Sequence, residues 1–243
     1  MRSIKKIQVL VLLLLATLFT VSGCQKESVP EPEPTDDSTP PISATEKAIV
    51  VYFSRIGEQT DVGFISEGNT AIVAKMIAEK TGADLFEIKP SPDKYNVAYD
   101  QLTQIAKKEK DSKARPAFAK PIPDFSQYDV VFFGSPVWWG DWPMIMYSFF
   151  EGVPLEGKKL LPFSTHAGSN LAGFNIKLMT LYPYCTILPG FSITGTVAQT
   201  DRVKTEKLVD QWLRSLGLDP KPLAANLPDE SAESTDSGGP QAE

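Results

Sequence analysis

Between residues 47 and 218, short apolar runs alternate with stretches whose apolar residues recur every three or four positions. The run at 48–53, Ala-Ile-Val-Val-Tyr-Phe, is rich in β-formers and reads as a buried strand. At 69–81, Ile72, Val73, Met76 and Ile77 make one stripe, which predicts a helix that Gly82 caps. A second strand is expected at 83–88 and a polar surface helix at 98–110. The third strand, 129–134, is the most apolar, and a fourth covers 159–164. A fifth spans 186–193, broken by Pro189 and Gly190. A terminal helix at 202–216 carries Leu208, Val209, Trp212 and Leu216 on one side, and Gly217 closes it. Five apolar strands separated by helices predict an α/β fold, a parallel sheet covered on both faces. Ligands in such sheets sit at the carboxyl ends of the strands, so the loops after strands one, three and four carry the functional information.

The flanks have a different composition. Arg2, Lys5 and Lys6 precede an apolar run at 9–21. That run is shorter than the roughly 20 residues a membrane-spanning helix needs, and it reads as a signal-peptide core. Val21-Ser22-Gly23-Cys24 resembles a bacterial lipobox, so 1–23 is expected to be a lipoprotein signal peptide and Cys24 the lipidated residue. Residues 24–46, rich in Pro, Asp and Glu, are expected to form a tether, and 219–243 an acidic disordered tail, leaving 47–218 as one domain. The protein would then be exported and lipid-anchored to a bacterial cell membrane. Loss of the three signal-peptide cations moves the formal charge from −6 to −9, which argues against nucleic acid. With Cys24 lipidated, Cys185 has no partner for a disulfide. His166 is the only histidine, so no metal site is expected.

Each loop has a bland and a functional reading. After strand one comes Ser54, then an irregular segment, then Gly68-Asn69-Thr70 opening a helix; this is either simple capping or a phosphate site. After strand three, Ser135-Pro-Val-Trp-Trp-Gly-Asp-Trp-Pro143 holds three tryptophans within five residues. One or two of them suit stacking on a flat ligand, the alternative being burial against the helix that starts near Pro143. After strand four, residues 164–170 combine small residues, which let the backbone approach a ligand, with His166.

Taken together, Tyr52-Phe53-Ser54, Gly68-Asn69-Thr70, Ser135-Pro-Val-Trp-Trp-Gly140 and Phe163-Ser-Thr-His-Ala-Gly168 resemble flavodoxins, in particular flavodoxin-like proteins with a paired-tryptophan loop. The resemblance runs over residues 47–216. It implies a three-layer sandwich around a five-stranded parallel sheet of order 2-1-3-4-5, an order taken from the family. It also implies flavin mononucleotide (FMN) as cofactor. Ser54, Arg55, Gly68, Asn69, Thr70 and Ala71 would hold its phosphate. Pro136, Val137, Trp138, Trp139 and Gly140 would run along the isoalloxazine, and Thr165, His166, Ala167, Gly168 and Ser169 would close its other side. A carboxylate such as Asp141 near the ring would lower its potential. About a dozen residues near 56–67 are extra relative to a compact phosphate loop and would cover the flavin or form a substrate wall. No catalytic side chain is singled out, because the flavin supplies the redox chemistry. Three functions follow: an electron carrier between redox partners, a nicotinamide-dependent FMN reductase of quinone type, or a flavin-free binding module. The redox partner would be a protein or a small-molecule acceptor. The absence of a Gly-x-Gly-x-x-Gly motif and the export signal favour the carrier.

Overall fold

The computed structural model describes residues 42, 43 and 45–223. The expectations for the signal peptide, for Cys24, for most of the tether and for the tail beyond 223 lie outside them.

Five parallel strand positions form the sheet. β1 (Ala48–Tyr52) lies between β4 (Asp84–Glu87) and β5 (Val130–Pro136), and β6 (Lys159–His166) pairs with β5. The fifth position is split into β7 (Thr186–Ile187) and β8 (Phe191–Thr194), both parallel to β6. The order is therefore 2-1-3-4-5, as the resemblance implies. Side chains alternate across each strand. Val50, Tyr52, Val130, Phe132, Leu161 and Phe163 face one core, with α1 (Asn69–Thr81) and α6 (Arg202–Ser215). Ile49, Val51, Phe53, Val131, Phe133 and Leu160 face the other, with α2 (Tyr99–Asp111), α3 (Met144–Phe150) and α4 (Phe174–Leu181). A short α5 (Gly195–Thr200) follows β8.

The split has a covalent cause. Pro162 lies in the middle of β6 and has no N–H to offer its neighbour. β7 pairs with Lys159 and Leu160 before it, and β8 pairs from Phe163 onward. The intervening Pro189 carbonyl accepts from the Trp212 indole at 2.9 Å, so the detour leaves that group satisfied.

The helix expected at 69–81 forms with those bounds, and Gly82 caps it in the left-handed region with its N–H on the Ala78 carbonyl. The segment at 56–67 is not irregular. It holds an antiparallel hairpin, β2 (Gly57–Gln59) with β3 (Gly63–Ile65). The packed body also reaches past both expected boundaries. Ile42 is buried and its N–H donates to the Leu216 carbonyl, and the Lys221 N–H donates to the Lys80 carbonyl.

Gly134 sits in β5 opposite Phe163, whose ring covers it. A Cβ there would lie 2.0 Å from Phe163 Cζ. Gly134→Ala is expected to cost about 1–3 kcal/mol through overpacking, read as a lower urea midpoint with an unchanged slope.

Candidate functional site

At the carboxyl ends of β5, β6 and β8 the loops enclose a cleft of about 600 Å³. That volume falls within the roughly 300–1,000 Å³ usual for small-molecule sites. Its floor and one side come from Thr165, His166, Ala167, Gly168 and Ser169, and Pro136, Val137, Trp138, Trp139 and Gly140 form a second side. The two expected ring-flanking loops are thus brought together in full.

The expected phosphate residues divide. Asn69 lines the cleft; Ser54, Gly68, Thr70 and Ala71 do not. In the first turn of α1, the Ala71 N–H donates to Ser54 Oγ at 3.0 Å and the Ile72 N–H to the Gly68 carbonyl. The amides of Asn69 and Thr70 precede the intrahelical ladder, where an anion is favoured. Thr70 and Thr165 share a hydroxyl–hydroxyl hydrogen bond of 2.7 Å, which fixes the helix start to the end of β6. Arg55 requires a correction. It is buried, and its guanidinium donates to the carbonyls of Glu58, Tyr95 and Val97. It ties the hairpin to the segment before α2 and does not reach the cleft.

The three tryptophans have three surroundings. Trp142 is fully buried and stacks on Phe174 at 3.5 Å between ring centroids. Trp138 lines the cleft with its edges against Phe53 and Tyr95, at 5.4 and 5.2 Å. Trp139 is half exposed and lines the cleft from a tight turn. In that turn Trp138 and Asp141 exchange both backbone hydrogen bonds, and Trp139 and Gly140 have φ of 53° and 68°. Two consecutive left-handed residues mark a turn of type I′, for which glycine at the second position is favoured.

Asp141, expected to lower the potential of a nearby ring, is paired. Its carboxylate pairs with Lys177 at 2.9 Å and accepts from the Tyr147 hydroxyl and the Trp142 N–H. The ammonium offsets its charge, so it does not present a bare anion to the cleft.

The remaining wall comes partly from the insertion at 56–67, expected to cover the ligand or form a wall, and partly from residues that sequence reasoning missed, in α2 and at 194–196. Gln59, Thr60 and Asp61 of the hairpin, Tyr99, Leu102, Thr103 and Ala106 of α2, and Thr194, Gly195 and Thr196 all line the cleft. The Glu58 carboxylate accepts from the Tyr99 N–H, and the Thr60 and Tyr99 hydroxyls are bonded, which joins hairpin and helix. At the far end a Cβ on Gly195 would lie 2.3 Å from Asn69 Nδ2. Among the described residues, no group of three or more His, Cys, Asp or Glu is placed to hold a metal.

The family model described as Flavodoxin matches residues 47–213. A comparison with curated proteins gives no match. Among solved structures, a provisionally assigned flavoprotein from Bacteroides eggerthii is 29% identical, with a TM-score of 0.52, over 71% of this chain and 99% of its own. Another such protein, from Bacteroides uniformis, is 27% identical, with a TM-score of 0.51, over 70% and 98%. A flavoprotein from Lactobacillus acidophilus, solved in complex with FMN, is 20% identical over 60% and 93%, with a TM-score of 0.47.

His166 accepts from the Gly168 N–H through Nδ1 at 2.9 Å, so the proton of the neutral ring is on Nε2 and available to the cleft. Burial lowers its pKa below the usual 6.5. Nitrogen-15 NMR is expected to show the Nε2–H tautomer at pH 7 and a midpoint below 6.5. A midpoint above that value would contradict the burial argument.

Proposed function

The chain belongs to the flavodoxin family, and on that premise we propose that its cleft holds FMN and that the protein is a membrane-tethered redox carrier. The observation that carries this reading is the cleft itself. A helix N-terminus, an aromatic wall and a small-residue loop converge on one cavity at the strand ends, as an elongated ligand with an anionic tail and a flat head requires. FMN is the cofactor that the family implies, and the residues fit it. Asn69 Oδ1 is buried with no protein partner, and it is an acceptor suited to a ribityl hydroxyl. The Asn69 and Thr70 amides would meet the phosphate, and Trp138 and the 165–169 loop would flank the ring.

Bound FMN supplies reversible one- and two-electron transfer. The chain's own part is to bind, orient and exclude water. The Thr70–Thr165 bond keeps the phosphate end in register with the ring end. His166 stays neutral and offers an N–H rather than a charge. Lys177 holds the carboxylate of Asp141 and the carbonyl of Gly140, which steadies the tryptophan turn.

The carrier reading is favoured over a reductase by exposed apolar residues on α4. Ile176 and Met179, one helical turn apart on α4, are each more than half exposed, and α4 follows the 165–169 loop. Such a face suits a protein partner. Export and lipidation at Cys24 rest on the order of basic residues, apolar run and cysteine at the start of the chain.

The test is the visible spectrum of residues 25–243 mixed with FMN. Flavin bands that survive desalting are expected. A folded, colourless protein would overturn the reading. Asn69→Ala should weaken FMN binding about tenfold, the equivalent of one lost hydrogen bond of ~1.4 kcal/mol. Rapid electron exchange with protein partners, without steady oxidation of a nicotinamide, would mark a carrier; sustained nicotinamide oxidation would mark a reductase.

A further inference from the structure

Adjoining the cleft, with Thr103 and Trp139 in the walls of both, lies a second groove of about 750 Å³ between α2 and the tryptophan turn. Its walls include Gln104, Lys107, Lys108, Asp111, Ser112 and the Trp139 indole. We propose that this groove is a separate binding site for a planar aromatic anion, stacked on Trp139 and paired with the lysines of α2.

Three observations converge. First, Trp139 is 51% exposed and yet held in place. Its backbone is pinned by the two-residue turn, and its indole N–H donates to the Thr103 carbonyl at 3.0 Å. The Lys110 ammonium donates to the Trp139 carbonyl. An indole fixed in this way presents a preorganised stacking surface, which lowers the entropy cost of binding. Second, the groove is cationic on a chain of formal charge −6. Lys107 and Lys108 stand against one carboxylate, Asp111; Asp111 takes Lys107 Nζ at 2.7 Å, with that ammonium 5.7 Å from the Trp139 ring centroid, so Lys108 carries the charge that remains for a ligand. The other acid on this stretch of α2, Glu109, is buried and takes Lys94 and the Tyr95 hydroxyl as partners, so it does not cancel the lysines in the groove. Third, Trp139 and Thr103 line both cavities, so a ligand in the groove adjoins the cleft.

The combination selects the ligand class. A neutral aromatic would gain nothing from the ammonium groups, and an inorganic anion would gain nothing from the indole. A planar ring carrying a sulfonate, carboxylate or phosphate uses both. The role of such a ligand as the small redox partner rests on the proposed FMN function; its binding does not.

The test is a titration with naphthalene-2-sulfonate, a redox-inert planar anion, followed by amide and indole NMR shifts in the FMN-free and FMN-saturated protein. Shifts are expected at Gln104, Ser112 and the Trp139 indole, with dissociation constants that agree within about twofold whether or not FMN is present. The double variant Lys107→Gln/Lys108→Gln should bind the anion about fivefold more weakly or worse. The uncharged 2-naphthalenemethanol should bind more weakly than the anion and be insensitive to that variant. Competition by FMN would place the probe in the cleft and overturn the proposal, as would unchanged affinity in the double variant. Failure of the FMN reading shows separately, as loss of flavin on desalting, and the FMN-free titration still reports on the groove.

Discussion

The structure depends on one constraint: the central strands are buried on both faces. β1, β5 and β6 send alternate side chains into two apolar cores, and neither core offers a place for a polar ligand. Polar chemistry can collect only where the strands end and the chain turns. Their parallel direction puts those ends on one side, together with the start of α1. The cleft is the consequence. Its loops come from distant parts of the chain, and the Thr70–Thr165 contact, 95 residues apart in sequence, is a direct polar link between them.

Most of the frame was legible because burial on both faces leaves a strong pattern. The run at 48–53 and the stripe of Ile72, Val73, Met76 and Ile77 have few alternative explanations, and Gly82 supplies a stop signal with a mechanism. The hairpin at 57–65 left no such pattern. Its strands are three residues each, and Phe64, its largest apolar side chain, is 83% exposed. α2 was visible as a helix but read as a surface element. Its buried face is narrow, with Leu102, Ala106 and Glu109 buried and Ile105 packed beside them, so only Leu102 and Ile105 are large and apolar. α2, with Thr194, Gly195 and Thr196, supplies the wall that sequence reasoning missed.

The tryptophan loop shows a different limit. Composition says that three indoles within five residues are unusual, but not which of them the core takes. Trp142 goes to the core because it lies just before α3 and finds Phe174 to stack on. Trp138 and Trp139 are diverted by a turn whose left-handed backbone is a local choice favoured by Gly140. Arg55 is the converse case. Next to Ser54 it looked like an anion ligand, yet three carbonyls had a prior claim on its guanidinium, and those carbonyls come from segments that adjacency in sequence does not reveal.

Pro162 has a consequence outside the cleft. The position at one side of the sheet is occupied by two short pieces, β7 with two residues and β8 with four. A long, regular outer strand offers a row of free backbone groups on which another chain can grow a sheet. Here that row is interrupted, and the Trp212 indole covers the carbonyl at the break. The proline that splits the strand therefore also guards against self-templated aggregation at that edge.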